Sequence, residues 1–155
     1  MKRVLIVCCA ILVALATRAQ SFSWTDAAGA TFNITITDAT KQYATITRIN
    51  GTALTVVTVP GTVSYNGNNY KVTELGSSAL QVTGVKKLIL SDNIKVLDDY
   101  SIQLAQELEE IQFPSTLEVI NFYSCSYLSS LKEIDLSNTK VRFIGESAFT
   151  TGIGT

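Results

Sequence analysis

A pattern of hydrophobic and polar positions recurs with a fixed period in the second half of the chain. The segments VKKLILSDN, LEEIQFPST and LKEIDLSNT begin at Val85, Leu108 and Leu131, a 23-residue period, and each has apolar residues at its first, fourth and sixth positions. The fourth and sixth residues point to the same side of an extended chain. One such unit cannot bury its own apolar side. The pattern therefore predicts a β-rich solenoid in which copies stack and each contributes one parallel strand.

The residues that follow each strand continue the repeat. Leu97 of the first copy matches Ile120 of the second, and a shift of one residue places Ile144 there in the third copy. The spacing of these apolar residues indicates turns or short helical return segments rather than one long helix. A partial copy, YKVTELGSSAL, begins at Tyr70. We expect about three repeats and a partial one over residues 71–155.

Residues 20–70 predict β structure of a different kind. TFNITIT, from Thr31, alternates apolar and polar residues, and YATITRI and LTVVTV are rich in β-branched residues. Asn66 and Gly67 supply the positive φ angles of a tight hairpin turn. Because the first coil of a solenoid exposes its core, we expect this segment to form an antiparallel β cap. The alternative is an independent sugar-binding sandwich, for which about 50 residues is short.

Residues 1–19 predict a secretory signal peptide. Lys2 and Arg3 precede an almost wholly apolar run at positions 4–16, and small residues stand at Thr17 and Ala19 before a cleavage point. The run is shorter than the roughly 20 residues that span a bilayer. We expect export, cleavage before Gln20, and a secreted or cell-surface protein that is not inserted in the membrane after cleavage.

Charge and residue usage exclude several classes of function. Removal of residues 1–19 takes away three of the 12 basic side chains and none of the 13 acidic ones, so the net charge falls from −1 to −4. This charge does not favour nucleic acid as a partner. The chain contains no histidine, which excludes serine–histidine and cysteine–histidine catalytic pairs and imidazole metal ligands. Cys125 remains alone after cleavage, and its position in the repeat predicts an inward, buried side chain.

The acidic residues do not form a recognisable catalytic or metal-binding motif. Glu107, Glu109 and Glu110 cluster, and Asp98 and Asp99 precede them, but these residues flank predicted strands on the solvent side. Acid–base catalysis by carboxylates needs a cleft that separates their pKa values. The sequence also lacks a calcium-binding loop and a phosphate-binding loop. We therefore predict no catalytic residues, no metal and no cofactor.

The outward residues of the repeat strands form columns across the predicted stack. The column Lys86, Glu109 and Lys132 alternates in charge, so we assign it a structural role. The two neighbouring columns combine uncompensated charge with one exposed isoleucine, which makes them the candidate binding face. The alternative is that all three columns are ordinary solvated strand faces. The candidate face comprises Lys87, Ile89, Glu110, Gln112, Glu133 and Asp135.

The repeat unit resembles that of a known family. LEEIQFPSTLEVI, from Leu108, and IGESAF, from Ile144, are similar to the unit L-x-x-I-x-[LF]-P-x-x-L-x-x-I-G-x-x-A-F of the BspA-type bacterial surface leucine-rich repeats. The resemblance covers about residues 54–149. It departs at Cys125, where the family usually has phenylalanine, and at Ser91, which stands in place of the proline found at Pro114. The resemblance implies a leucine-rich repeat solenoid with an N-terminal cap.

The resemblance also implies a function. It implies a non-catalytic binding module that acts through protein contacts, in adhesion to host extracellular or neighbouring-cell proteins. The alternative is a carbohydrate-binding accessory module of an exported glycan system. Sugar platforms usually need exposed aromatic residues, and the repeat strands offer only Phe113, which the pattern buries. The sequence ends within a repeat after Phe149, so we expect a fragment or a shortened member. We expect its open third copy, residues 131–155, to self-associate or else to fray.

Overall fold

A computed structural model describes residues 19–80, 82–103 and 105–150. Within these ranges the chain forms eleven β-strands and no helix, and so no described segment is a helix that could cross a membrane. The predicted signal peptide lies almost wholly outside the described residues. The strands are β1 (Ser21–Thr25), β2 (Thr31–Asp38), β3 (Tyr43–Asn50), β4 (Val56–Val59), β5 (Thr62–Tyr65), β6 (Asn68–Leu75), β7 (Lys87–Leu90), β8 (Val96–Leu97), β9 (Glu110–Gln112), β10 (Val119–Ile120) and β11 (Phe143–Ile144).

The N-terminal strands form as their patterns predict. In β2 the side chains of Phe32, Ile34 and Ile36 are buried while their neighbours are not, and β2 pairs antiparallel with both β1 and β3. β5 and β6 form an antiparallel hairpin. Its turn consists of Asn66 and Gly67, whose φ angles are 48° and 78°. Positive φ at both turn residues gives the twist that two-residue hairpins need.

Two sheets organise the stack. The larger has the strand order β1, β2, β3, β6, β8, β10, β11, with β5 joined to β6, and the pairings from β3 to β11 are parallel. The smaller is the parallel sheet β4, β7, β9. β4 belongs to the segment assigned to the cap, yet it pairs in register with the first repeat strand. The cap and the repeats thus share both sheets.

The core is one cluster of apolar side chains contributed by both sheets. Leu88 of β7, Leu97 of β8 and Ile120 of β10 are fully buried, and Ile111 of β9 is 8% exposed. Each residue of this kind contributes about 1.5–3 kcal/mol by leaving water. The inward positions of these four residues, predicted from the repeat period, are therefore confirmed, whereas Phe113, which the pattern was expected to bury, is half-buried against the core.

The third copy departs from the prediction. Residues 131–136 form no strand, and Ile134 is 41% exposed. One backbone hydrogen bond still links this copy to the preceding one: the Lys132 N–H donates to the Glu109 carbonyl at 3.3 Å. The equivalent bond one copy earlier, from the Glu109 N–H to the Lys86 carbonyl, is 2.8 Å long. The predicted shift of one residue is confirmed, because Ile144 of β11 pairs with Ile120 and so lies one position beyond the regular period.

Gly145 shows how closely successive coils approach. A Cβ atom at this position would come within 2.7 Å of the backbone of Asn121 and Phe122 in the preceding coil. The Gly145 N–H donates to the Ile120 carbonyl at 2.7 Å. A larger residue would push the coils apart and lengthen this bond, so the glycine of the IGESAF motif is a packing requirement.

Candidate functional site

The predicted binding face is built on β7 and β9. Their register places Lys87 opposite Glu110 and Ile89 opposite Gln112, so these four side chains share the outer side of the smaller sheet. Glu133 and Asp135 follow in the third copy, where there is no strand. They nevertheless line a shallow depression of about 300 Å³ together with Glu110 and Gln112. The structure therefore brings the six predicted residues to one surface.

The neighbouring column is a ladder of ion pairs, as predicted. Glu109 lies 3.2 Å from Lys86 and 2.6 Å from Lys132, measured between carboxylate oxygens and Nζ atoms. The hydrogen bonds from Lys132 and Lys86 hold the pKa of Glu109 below its usual value. Each pair joins residues in neighbouring copies of the repeat, so the ladder connects three successive coils.

The predicted face differs from the prediction in its charge and in the exposure of its isoleucine. Its charge is partly compensated, because Lys87 Nζ lies 2.8 Å from Glu110 Oε1, and the hydrogen bond from Lys87 lowers the pKa of that carboxyl. Ile89 is half-buried rather than exposed, since it lies between Thr58 and Gln112 on the neighbouring strands. Long side chains in adjacent coils can reach each other across the roughly 4.8 Å between strands, and the prediction did not pair them.

The remaining acidic groups of the face differ in their surroundings. For Glu133 the described part of the chain shows no ion pair. Asp135 accepts a hydrogen bond from the Ser137 N–H at 2.8 Å. Hydrogen bonds from the side chain and backbone of Ser137 lower the pKa of Asp135. A carboxylate held ionised on an open surface attracts cationic groups of a partner but does not act as a general acid.

A second surface, on the larger sheet, was missed by the sequence analysis. Tyr100 and Tyr123 stack with ring centroids 5.4 Å apart and planes 11° from parallel. Phe122 and Phe143 meet edge to face at 6.3 Å. Phe122 and Phe143 are each 45% exposed and Tyr100 is 38% exposed. We call these four residues the aromatic surface.

The backbone positions the two tyrosines in turns that follow β8 and β10. Tyr100 and Tyr123 have φ angles of 60° and 54°, in the left-handed region that bulky residues rarely adopt. Such a conformation costs on the order of 1 kcal/mol or more. The corresponding turn one coil later has Ser147, with φ 55°. Because serine fills the same turn, the turn itself does not require an exposed tyrosine.

Polar residues fix the loop that carries the aromatic surface. Asp99 Oδ1 accepts a hydrogen bond from the Phe122 N–H at 3.1 Å, and Asp98 Oδ1 accepts one from Asn121 Nδ2 at 3.2 Å. Burial raises the pKa of the nearby half-buried Glu74, and the charge of Asp98 adds to the effect. These contacts hold one coil against the next, so the rings are presented on a connected scaffold.

A second ion-pair ladder borders this surface. Glu118 lies 3.1 Å from Lys95 and 3.0 Å from Arg142, which belong to the preceding and following coils. The hydrogen bonds from Lys95 and Arg142 lower the pKa of Glu118. In the part of the chain that the structure describes, no three histidine, cysteine, aspartate or glutamate side chains are grouped so as to hold a metal ion. The geometry is that of open faces suited to contact with another molecule.

Comparison with known families matches the whole repeat region. Six copies of the BspA type leucine rich repeat region match residues 32–153. The chain belongs to the BspA-type leucine-rich repeat family. The match begins within the segment that the sequence analysis assigned to the cap, in agreement with the pairing of β4 to the repeat strands. The search of curated proteins found no significant match.

Solved structures share the fold at low sequence identity. A leucine-rich repeat protein from Bacteroides ovatus has a TM-score of 0.66 and 21% identity, over 77% of this chain and 31% of that one. One from Bacteroides capillosus has a TM-score of 0.57 and 17% identity, over 80% of this chain and 98% of that one. The leucine-rich repeat protein of T. pallidum has a TM-score of 0.54 and 18% identity, over 72% and 60%. The BspA-type chain thus spans less than a third of the Bacteroides ovatus protein.

Proposed function

We propose that this BspA-type protein is an exported, surface-displayed or secreted binding module that acts through protein contacts and carries out no catalysis. Membership of a leucine-rich repeat family supports a role in protein interaction. The observation that carries the proposal is the aromatic surface, because exposed tyrosine and phenylalanine side chains are frequent anchors of protein interfaces.

The two surfaces have separate roles in this proposal. The aromatic surface supplies the apolar contact, since the backbone that carries its rings is hydrogen-bonded to the neighbouring coil and loses little conformational freedom on binding. The face that includes Glu133 and Asp135 supplies charge that directs a basic partner toward the protein and sets the rate of association. The biological role would be adhesion to an extracellular protein of a host or of a neighbouring cell.

Binding to a panel of immobilised extracellular proteins tests the proposal. The exported chain should bind at least one protein, and Tyr100→Ser together with Tyr123→Ser should weaken that binding at least tenfold. Both substitutions introduce the residue that the turn at Ser147 already uses, so the fold should be retained. Tyr43→Ser, which removes a half-buried tyrosine of β3 away from the surface, is the control. If the chain binds none of the proteins, or if Tyr43→Ser weakens binding as much as the double substitution does, the aromatic surface is not the binding site.

The aromatic surface also favours a second candidate, carbohydrate binding. The repeat strands were expected to lack exposed aromatic residues, but Phe143 of β11 is exposed, and the turns add Tyr100 and Phe122. A glycan array distinguishes the two candidates with the same variants. Binding to glycans that is lost with the tyrosine pair would favour a carbohydrate module, while binding to proteins alone would favour adhesion.

Export is the remaining part of the proposal. The signal-peptide pattern of residues 1–19 and the family both support it. Intact-mass measurement of the protein recovered from its native host should give a chain that begins at Gln20. Retention of residues 1–19 would contradict export by this route and leave the binding proposal to be judged separately.

A further inference from the structure

β1 forms an edge of the larger sheet that is open to another strand. It stands first in the strand order, and among the described residues it pairs with β2 alone. Four of its five residues are exposed. The strand, SFSWT, contains no charged residue and no proline, which are the features that usually protect an edge strand from pairing with another chain.

The hydrogen bonds to β2 show which backbone groups of β1 face outward. At one end the Asp26 N–H donates to the Ala30 carbonyl at 2.9 Å, and at the other the Ile36 N–H donates to the Gln20 carbonyl at 2.8 Å. Bonded and non-bonded pairs alternate along an antiparallel ladder, so the even-numbered residues of β1 bond to β2. The N–H and C=O groups that point away from β2 are those of Ser21, Ser23 and Thr25.

The aromatic side chains of β1 lie at the rim of the core. Phe22 stacks on Tyr65 with ring centroids 4.3 Å apart, and Trp24 stacks on Phe32 at 5.5 Å. Phe32 is fully buried, whereas Trp24 remains 42% exposed. One side of this aromatic row is therefore covered by the protein and the other is open along the edge of the sheet.

We infer that β1 pairs antiparallel with β1 of a second copy, about a two-fold axis at Ser23. In this register Ser23 faces Ser23 of the other copy and Ser21 faces Thr25, so the three outward residues of each strand exchange six backbone hydrogen bonds. The same register places Phe22 of each copy opposite Trp24 of the other. These are the non-hydrogen-bonded positions, where facing side chains are closest and aromatic pairs are most favourable.

The residue sequence of β1 is self-complementary in this register, which favours β1 of a second copy over an unrelated strand as the partner. The outward-bonding residues all carry small hydroxyl side chains, and Phe22 and Trp24 exchange places under the two-fold rotation. Two such short facing strands bury less than the roughly 1,200–2,000 Å² of a stable interface, so the dimer should be reversible. The inference does not rest on the proposed function. A dimer would present two binding modules together and increase their avidity for a surface.

Sedimentation of the exported chain over a range of concentrations tests the dimer. Ser23→Lys places two like charges opposite each other at the axis and should raise the dimer Kd at least about tenfold. Ser64→Lys is a matched control. Ser64 is exposed on β5 and donates to Asn69 Oδ1 at 2.6 Å, as Ser23 donates to Asn33 Oδ1 at 3.1 Å. The control should leave the Kd unchanged.

A second variant tests the register directly. Facing residues of a bonded antiparallel pair have Cα atoms about 5.5 Å apart, within the range that a disulfide bridges. Ser23→Cys should therefore give a covalent dimer on mild oxidation, whereas Ser64→Cys should not. Trp24 is the sole tryptophan, and its emission should shift to shorter wavelength as the dimer forms.

Four results would overturn the inference. The first is a protein that stays monomeric at all concentrations up to the millimolar range, and the second is a dimer that Ser64→Lys weakens as much as Ser23→Lys does. The third is failure of Ser23→Cys to form a covalent dimer. The fourth is a dimer that Ile144→Lys disrupts while Ser23→Lys does not. The last would place the contact at the third copy, where the sequence analysis expected self-association. None of these results bears on binding by the aromatic surface, which is measured with other variants.

Discussion

Lys132 Nζ lies 2.6 Å from Glu109 Oε2, one coil earlier in the stack. The same carboxylate lies 3.2 Å from Lys86 on the other side, so a single glutamate links three coils. Exposed pairs of this kind contribute little to stability in general. Their position still matters here, because the Lys132–Glu109 pair joins residues 131–136, which form no strand, to the preceding coil.

We predict that Glu109→Gln lowers the melting temperature at neutral pH and has a diminishing effect in acid. The pKa of Glu109 is held below its usual value by Lys132 and Lys86. The ion pairs therefore add stability above about pH 4.5, and this contribution is lost as the pH falls through the lower pKa of the folded state. Thermal denaturation of the wild type and the variant from pH 7 to pH 3 should show the two curves converging.

Salt provides the control for that prediction. In 1 M salt the screening length is about 3 Å, so the difference between the wild type and Glu109→Gln should shrink at pH 7. Glu107→Gln removes a nearby carboxylate for which the described chain shows no ion pair, and it should have little effect. If the melting temperatures of the wild type and Glu109→Gln still differ in acid and in 1 M salt, Glu109 stabilises the fold by packing alone.

We predict that Ile111→Asp destabilises the protein by several kcal/mol, about 3 or more, while Gln112→Asp changes stability by well under 1 kcal/mol. Ile111 is 8% exposed and contributes to the core, so a carboxylate there has no polar partner. Gln112 is the next residue of β9 and is exposed. Urea denaturation of the two variants measures the difference. Similar midpoints would contradict the inward and outward assignment in β9.

Periodicity predicted those parts of the fold that depend on one strand stacking on an identical one. The repeat spacing identified the inward residues, such as Leu88 and Ile111, and the bridging role of Glu109 between lysines. Periodicity failed to predict that residues 131–136 form no strand. A strand also requires backbone hydrogen bonds to a neighbouring strand, and the apolar residue at Ile134 gives no information about those bonds.

The candidate site was predicted less well, for reasons of backbone conformation. Alternation along a strand identifies the outer residues of β7 and β9, but Tyr100 and Tyr123 lie in left-handed turns, where alternation has no meaning. One signal was available in the sequence: the two tyrosines occupy the same position in successive copies of the repeat. The Lys87–Glu110 pair could also have been found by comparing neighbouring copies instead of summing the charge of each column.

We predict that Cys125 does not react with thiol reagents in the folded protein. The side chain is 2% exposed, and burial raises its pKa to about 12, so the reactive thiolate is scarce at neutral pH. Labelling with a chromogenic disulfide should be slow and should become fast in denaturant. Rapid labelling under native conditions would show that the coil around Cys125 opens readily.

The raised pKa of Cys125 also predicts a loss of stability in alkali. In the unfolded chain the thiol ionises near its ordinary pKa of 9.0, whereas in the folded state it stays neutral up to about 12. The stabilising contribution is complete below pH 9 and is lost as the pH rises toward 12. The comparison is with Cys125→Ala, which lacks the thiol and keeps the other ionisable groups of the chain. The stability of this variant should fall less steeply between pH 9 and pH 12.

The last prediction concerns the different stabilities of the repeat copies. β7 is the central strand of the smaller sheet, with β4 and β9 bonded on its two sides. By contrast, within the part of the chain that the structure describes, the Ile134 N–H donates no backbone hydrogen bond, and the side chain of Ile134 is 41% exposed. Regions with few buried contacts and few backbone hydrogen bonds open at low free energy. Native-state hydrogen exchange should therefore give amides in β7 that exchange at least about a thousandfold more slowly than those of residues 133–136.

The exchange of Ile134 also reports on the contact made by Lys132. Lys132→Ala removes the side chain that joins the third copy to Glu109, so exchange should accelerate at residues 131–136 and remain unchanged in β7. Lys95→Ala, which breaks the equivalent pair with Glu118 on the other sheet, is the control and should not affect residues 131–136. If Ile134 instead exchanges as slowly as β7 in the wild type, the third copy is closed in solution and its exposed side chains are covered by another molecule or by a chain segment outside the described residues.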